Sequence, residues 1–306
     1  MISLRARLVR ALLRLYTYPA RRKHRSLSRS VRFRSEKYRP PRGFAFSVGE
    51  ADGVRTEILQ PPEHAADLLH FHGGGHTVGM NNFYRRAAQG YAAAGFRVCS
   101  VDYRAGTERL YPAVHDECFR ACRALLHASP PERPLAAVGD SFGANLLLSC
   151  CLRARDEGLR LPDAIVCISP FADLAASGDS YRRNCHRDPL YALPKNQSFA
   201  EYEKDIRRGT PYCGTTDPRT PDLSPAYADL RGLPAMLLVI GEYETSASDA
   251  EMLARNARKA GVPALLLSFA GMWHDFLYLC PSLPESRAAR RAVDAFLRAT
   301  CLTAQA

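Results

Sequence analysis

No run of eighteen consecutive apolar residues occurs in this 306-residue sequence, so no segment of it reads as a transmembrane helix. Cysteine is too sparse for a disulfide scaffold, with ten residues spread along the chain. Cys118 and Cys122 fall four apart, but no second Cys/His pair stands at zinc spacing, so neither metal nor cofactor is expected. Small buried hydrophobes account better for these two and for Cys150 and Cys151. Internal repeats and low-complexity tracts are missing, and with them solenoids and disordered tails. A secretory leader is not recognisable where Arg10 and Arg14 interrupt the first apolar stretch, which together with the cysteines predicts a cytoplasmic protein. The sharpest deficit is acid near the start: residues 1–42 carry 14 Lys and Arg against Glu36 alone, a charge of +13. The other 264 residues carry −2, so the overall +11 belongs to the first segment.

What is present suits a folded domain: 46% hydrophobic and 24% charged residues in a chain long enough to bury a large core. Residues 1–18 read as a cationic amphipathic helix ended by Pro19, with a polar stripe at Ser3, Arg7, Arg10, Arg14 and Thr17. A basic connector follows, closing at Pro40-Pro41. From residue 43 short apolar runs recur at Leu68–Phe71, Phe96–Val101, Leu135–Val138, Ala164–Ile168, Met236–Ile240 and Ala264–Phe269. Helical stretches separate several of them, at Phe83–Ala94, Ala113–His127, Gly143–Glu157 and Asp249–Gly261, and another at Arg287–Ala299 closes the chain. This alternation predicts an α/β fold: a mostly parallel sheet with helices on both faces. Phe44–Val48 and Val54–Leu59 suggest an antiparallel hairpin at its edge. Residues 175–225 break the rhythm and read as an insertion such as a lid.

Gly139-Asp140-Ser141-Phe142-Gly143 directly follows one strand and precedes a helix, the setting in which a G-x-S-x-G turn presents a nucleophilic serine. The bland alternative is a glycine-bounded turn with an incidental serine. His72-Gly73-Gly74-Gly75 follows Leu68–Phe71; its N–H groups, with that of Phe142, suit an oxyanion. A phosphate loop is the rival, but no Gly-Lys-Ser/Thr follows. His274, in the loop after Ala264–Phe269, is the candidate base. The acid belongs after Met236–Ile240, which runs into Gly241-Glu242-Tyr243-Glu244. Asp102 and Asp140 are expected to pair with Arg104 or to cap turns.

These stretches, with Asp102-Tyr103-Arg104, Ser169-Pro170-Phe171-Ala172-Asp173-Leu174 and Gly271-Met272-Trp273-His274, resemble the hormone-sensitive-lipase-like branch of the α/β-hydrolase esterases over roughly residues 66–300. The resemblance implies Ser141 as nucleophile, His274 as base and oxyanion donors at Gly74, Gly75 and Phe142. It also implies a helical cap made from the N-terminal helix and an insertion like 175–225, on a catalytic domain spanning 43–306. Two departures stand out: the acid loop reads Tyr243-Glu244-Thr245-Ser246-Ala247-Ser248-Asp249, where alignment on Gly241 puts Glu244 at the acid position with Glu242 and Asp249 as alternatives, and Phe142 replaces a smaller residue, which would narrow the acyl pocket. The expected activity is hydrolysis of small to medium acyl esters, with amidase or deacetylase chemistry and a non-catalytic ligand-binding homologue as alternatives. For residues 1–42, a cap segment with outward arginines and peripheral contact with anionic membrane is preferred over a transit peptide; a nucleic-acid arm ranks last. Oligomeric state is left open.

Overall fold

The computed structural model describes residues 2–22, 37–191, 193, 197–200, 203 and 211–302. The connector expected over 20–42 and the insertion over 175–225 therefore lie partly outside the described residues. Helix α1 (Leu4–Arg22) comes first, then strands β1 (Ala45–Ala51), β2 (Val54–Gln60) and β3 (Ala66–Phe71). Helix α2 (Asn82–Ala93), β4 (Phe96–Val101), α3 (Ala113–Ala128), β5 (Leu135–Asp140), α4 (Phe142–Asp156) and β6 (Ala164–Ile168) follow. The chain continues through α5 (Asp179–Arg183), β7 (Ala235–Gly241), α6 (Ala247–Lys259), β8 (Ala264–Phe269), α7 (Phe276–Leu279) and α8 (Pro284–Cys301).

The eight strands form one sheet in the order β1-β2-β4-β3-β5-β6-β7-β8. Pairing is antiparallel only for β1–β2 and β2–β4 and parallel elsewhere. The edge hairpin turns on Asp52-Gly53, both at positive φ, which is the two-residue turn that matches strand twist. Strands β6 and β7 carry no polar side chain, because both faces of the sheet are covered there. Leu135, Ala137, Ile165, Cys167, Met236 and Leu238 join the core under α3, α4 and α6. Their alternating neighbours Ala136, Val138, Val166, Leu237 and Val239 join the core under α2 and α8. Cys118, Cys122, Cys150 and Cys151 are buried packing residues of the first of these cores.

Three expectations need correcting. Helix α1 does not stop at Pro19 but runs on to Arg22. A proline there deletes one bond, to the carbonyl of Leu15, a residue on the exposed side of the helix where water can replace it. Arg10 and Arg14 are not turned outward: Arg10 donates to the Gly271 carbonyl at 3.1 Å, and Arg14 donates to the carbonyls of His186 and Arg187. Asp102 pairs with Arg55, while Arg104 pairs with Glu117. Asp140 does not pair with Arg104 either: it is buried with its carboxyl against Gly73.

Candidate active site

Parallel strands deliver their following loops to one end of the sheet, where Ser141, Glu244, His274 and the glycine loop lie. Ser141 lies between β5 and α4 with φ 51° and ψ −121°, a conformation a β-carbon resists. Space decides the glycine two residues on: a β-carbon at Gly143 would meet the Phe71 and His72 carbonyl oxygens at 2.2 and 2.5 Å. The strand-to-helix turn therefore packs directly against the end of β3, from which the glycine loop departs. Gly74 has φ +95° and Gly75 φ +62°, so this loop takes a path suited to residues without a β-carbon. Tyr103 holds it, stacking on the buried His72 ring at 4.2 Å and donating its hydroxyl proton to the His72 carbonyl. Burial pushes the pKa of His72 down to about 4, so the ring is neutral. Phe142 opens α4, and its N–H is among the first-turn donors that a helix leaves unbonded.

His274 and Ser141, 133 residues apart, meet: Nε2 of the imidazole is 2.9 Å from the serine Oγ. On its other side Nδ1 lies 3.2 Å from Glu244 Oε2. The second Glu244 oxygen, Oε1, accepts from the Ser169 hydroxyl at 2.8 Å and from the Gly241 N–H. The alternative acids are occupied elsewhere. Glu242 accepts from the Gly271 N–H at 2.8 Å, and Asp249 accepts from the N–H groups of Ala172 and Asp173 and from the Tyr181 hydroxyl. Of the three candidates only Glu244 is brought to the imidazole.

Sequence reasoning did not single out several neighbours. Ser169 follows β6 at φ 47°; its hydroxyl donates to Glu244 and accepts from the Asp275 N–H at 3.0 Å. One side chain thus ties the acid to the loop carrying the base. Asn184 donates to the carbonyls of Glu242 and Glu244, holding the acid loop from the other side. Asp275 Oδ2 stands 3.4 Å from His274 Nε2, the same nitrogen that faces the serine. The Tyr191 ring lies edge-on to the imidazole at 5.0 Å. Ser169 stood inside a recognised motif and Asp275 directly beyond His274, but only folding reveals which atoms they face.

Electrostatics follow from this crowding. Burial opposes a charge on His274, yet the carboxylates of Asp275, Glu244 and Asp188 outweigh it and raise the imidazole pKa. Burial raises Asp275 to about 7 and Asp188 to about 6. Asp140 is raised well above the ordinary carboxyl value by burial and by Asp275. The Phe142 side chain is buried, edge-on to Tyr212 at 5.0 Å, in a group with His76 and His115. Among the described residues no cluster of three His, Cys, Asp or Glu could hold a metal ion.

Comparison with known proteins agrees with the architecture. Residues 68–278 match the alpha/beta hydrolase fold family. An acetyl-hydrolase of Streptomyces hygroscopicus is 37% identical over 260 residues, 84% of this chain and 83% of that protein. An esterase of Acinetobacter venetianus is 31% identical over 241 residues, 78% and 76% of the two chains. The crystal structure of an esterase from the bacterial hormone-sensitive lipase family superposes with a TM-score of 0.79 at 31% identity, covering 98% of this chain and 99% of that one.

Proposed function

Since this chain belongs to the α/β-hydrolase family, in its hormone-sensitive-lipase-like branch, and is a carboxylic ester hydrolase, we propose that Ser141, His274 and Glu244 are its catalytic triad and that it cleaves small to medium acyl esters. The observation that carries the reading is the continuous relay from Ser141 Oγ through both imidazole nitrogens to Glu244. Ser141 attacks the ester carbonyl while His274 Nε2 takes its proton, and Glu244 holds the imidazole in orientation and stabilises its charge. The developing oxyanion is received by the N–H groups of Gly74, Gly75 and Phe142. His274 then protonates the leaving alcohol, and water repeats the sequence on the acyl-enzyme, so that ester and water give acid and alcohol. The aromatic group around Phe142 supports the acyl limit by leaving little width beside the nucleophile. Helix α1 and the segment 175–225 form the cap in this reading, supported by the bonds of Arg14 and Thr17 to carbonyls of residues 186–189. The basic residues 1–42 give the molecule contact with anionic membrane.

The test is covalent labelling with a fluorophosphonate probe, together with turnover of a p-nitrophenyl ester series from acetate to decanoate. Labelling that is lost in Ser141→Ala, with turnover greatest on the short chains, is expected. A labelled Ser141→Ala enzyme would put the nucleophile elsewhere, and undiminished turnover by Glu244→Ala would move the acid. Matched anilides cleaved faster than the esters would shift the reading to an amidase.

A further inference from the structure

Helix α1 is docked by a stripe of Ile2, Ala6, Val9, Leu13 and Thr17, with Arg10 and Arg14 along its edge. Ala6 and Thr17 are buried, the Thr17 hydroxyl donates to the Pro189 carbonyl at 2.6 Å, and Arg10 and Arg14 donate to main-chain carbonyls of the loops flanking His274. At its start, Ser3 donates from both its N–H and its hydroxyl to Glu285 at the head of α8. An amphipathic helix on a globular protein ordinarily buries its apolar stripe and shows water its charges. Here, besides the docked stripe, a second set of large apolar side chains points away from the protein: Leu4 is 80% exposed, Leu8 63%, Leu12 55%, Leu15 72% and Tyr16 73%. At 100° per residue the four leucines fall within one narrow arc, nearly opposite Ala6 and Thr17, with Arg5 beside one edge and Arg7 beyond Ala11 on the other.

Five large apolar side chains in one exposed ridge are far more than scattered surface hydrophobes. The charge around them selects what covers them. Residues 1–42 carry +13 with a single acid, so a second copy of the same face would bring like charges together, whereas an anionic lipid surface complements them. The helix has the composition of an interfacial element, with leucine and an aromatic on one face and arginine beside them. No helix among the described residues is long and apolar enough to cross a membrane.

We propose that α1 is a membrane-docking element: Leu4, Leu8, Leu12, Leu15 and Tyr16 enter the acyl region of an anionic bilayer, Arg5 and Arg7 meet lipid phosphates, and the inward arginines couple the seated helix to the loops beside the active site. This deepens the membrane contact proposed above and gives it a face. Its consequence concerns substrate: esters dissolved in or adsorbed to the bilayer arrive next to the loops that hold His274, and the base is carried with the helix through the Arg10–Gly271 bond.

The experiment is co-sedimentation of the full chain with vesicles of phosphatidylcholine alone and of phosphatidylcholine with phosphatidylglycerol, for wild type, L8E/L12E and R5Q/R7Q, with p-nitrophenyl acetate turnover measured on each. Wild type is expected to sediment with the anionic vesicles only. L8E/L12E should remain in the supernatant with unchanged turnover, and R5Q/R7Q should bind about fivefold more weakly per arginine removed. Equal sedimentation of L8E/L12E and wild type would overturn the leucine face while leaving a charge-driven membrane contact in place. Wild type that never sediments would overturn both, with the esterase reading still judged by its turnover. A dimer that L8E/L12E converts to monomer, without vesicle binding, would assign the ridge to a second copy and overturn the lipid proposal.

Discussion

A base that works by accepting a proton must be neutral beforehand, and at His274 three carboxylates favour the charged form. Raising the pKa of an essential base moves the acid limb of kcat/KM upward, so the limb is expected above the ordinary histidine value of 6.5. Asp275→Asn removes a carboxylate from beside Nε2, and the limb should shift to lower pH in a p-nitrophenyl acetate profile. An unmoved limb would assign the effect to Glu244 and Asp188. Ser169 acts at one remove, through Glu244 and the Asp275 amide. Ser169→Ala should lower kcat about tenfold with KM little changed. Placed on Glu244→Gln the same substitution should cost almost nothing further, since its action runs through that carboxylate. Additive losses in that cycle would make Ser169 a packing residue. Phe142→Ala should raise kcat/KM for hexanoate relative to acetate, and an unchanged ratio would exclude Phe142 from the acyl boundary.

Between β3, β5 and α4, the elbow and the glycine loop fit together as one block. A methyl group at Gly143 cannot be accepted without displacing one of them, since the Phe71 and His72 carbonyls stand in its place. Gly143→Ala is expected to lower stability by about 1–3 kcal/mol by urea denaturation and to remove most turnover. Turnover retained in that variant would mean the block can shift without misplacing the oxyanion donors. The elements themselves were readable before folding: uniform apolar runs mark strands buried on both faces, and G-x-S-x-G marks its own turn. The order Ser141, acid, His274 could be read as well, and alignment on Gly241 favours Glu244 over Glu242 and Asp249. What excludes those two is the main-chain N–H groups that satisfy them, which spacing does not disclose. The inward turn of Arg10 and Arg14 was hidden for a related reason. Their partners are carbonyl oxygens, which no side-chain pattern discloses.

Over the whole molecule, the buried ionisable groups divide into two sets with opposite linkage to pH. His70, His72 and His115 have pKa values lowered by burial to about 3, 4 and 4, so their contribution is complete above pH 6.5 and lost as pH falls below it. Asp140, Asp188, Asp249 and Asp275 are raised by burial, and His274 is raised by its carboxylates. In this second set the folded state holds more protons than the unfolded chain, which lowers stability as pH rises. Above pH 6.5 the first set no longer titrates, and the buried thiols, raised by burial, act in the same sense as the second. Calorimetry should therefore give a Tm that is higher at pH 6.5 than at pH 8.5, and Asp140→Asn should narrow the difference. A Tm that climbs over that interval would contradict the assignment of these buried carboxyls. Charge is partitioned as sharply as titration, with a near-neutral hydrolase body behind a strongly basic leading segment. Last, the Ser169 hydroxyl gives its only proton to Glu244 and takes the Asp275 amide in return, from the end of a strand that carries no member of the proposed triad. Acid loop and base loop are therefore pinned to a common post, and slackening at the end of β6 misaligns both at once while the sheet stays intact. On gentle heating, catalytic output should fade before circular dichroism registers any change.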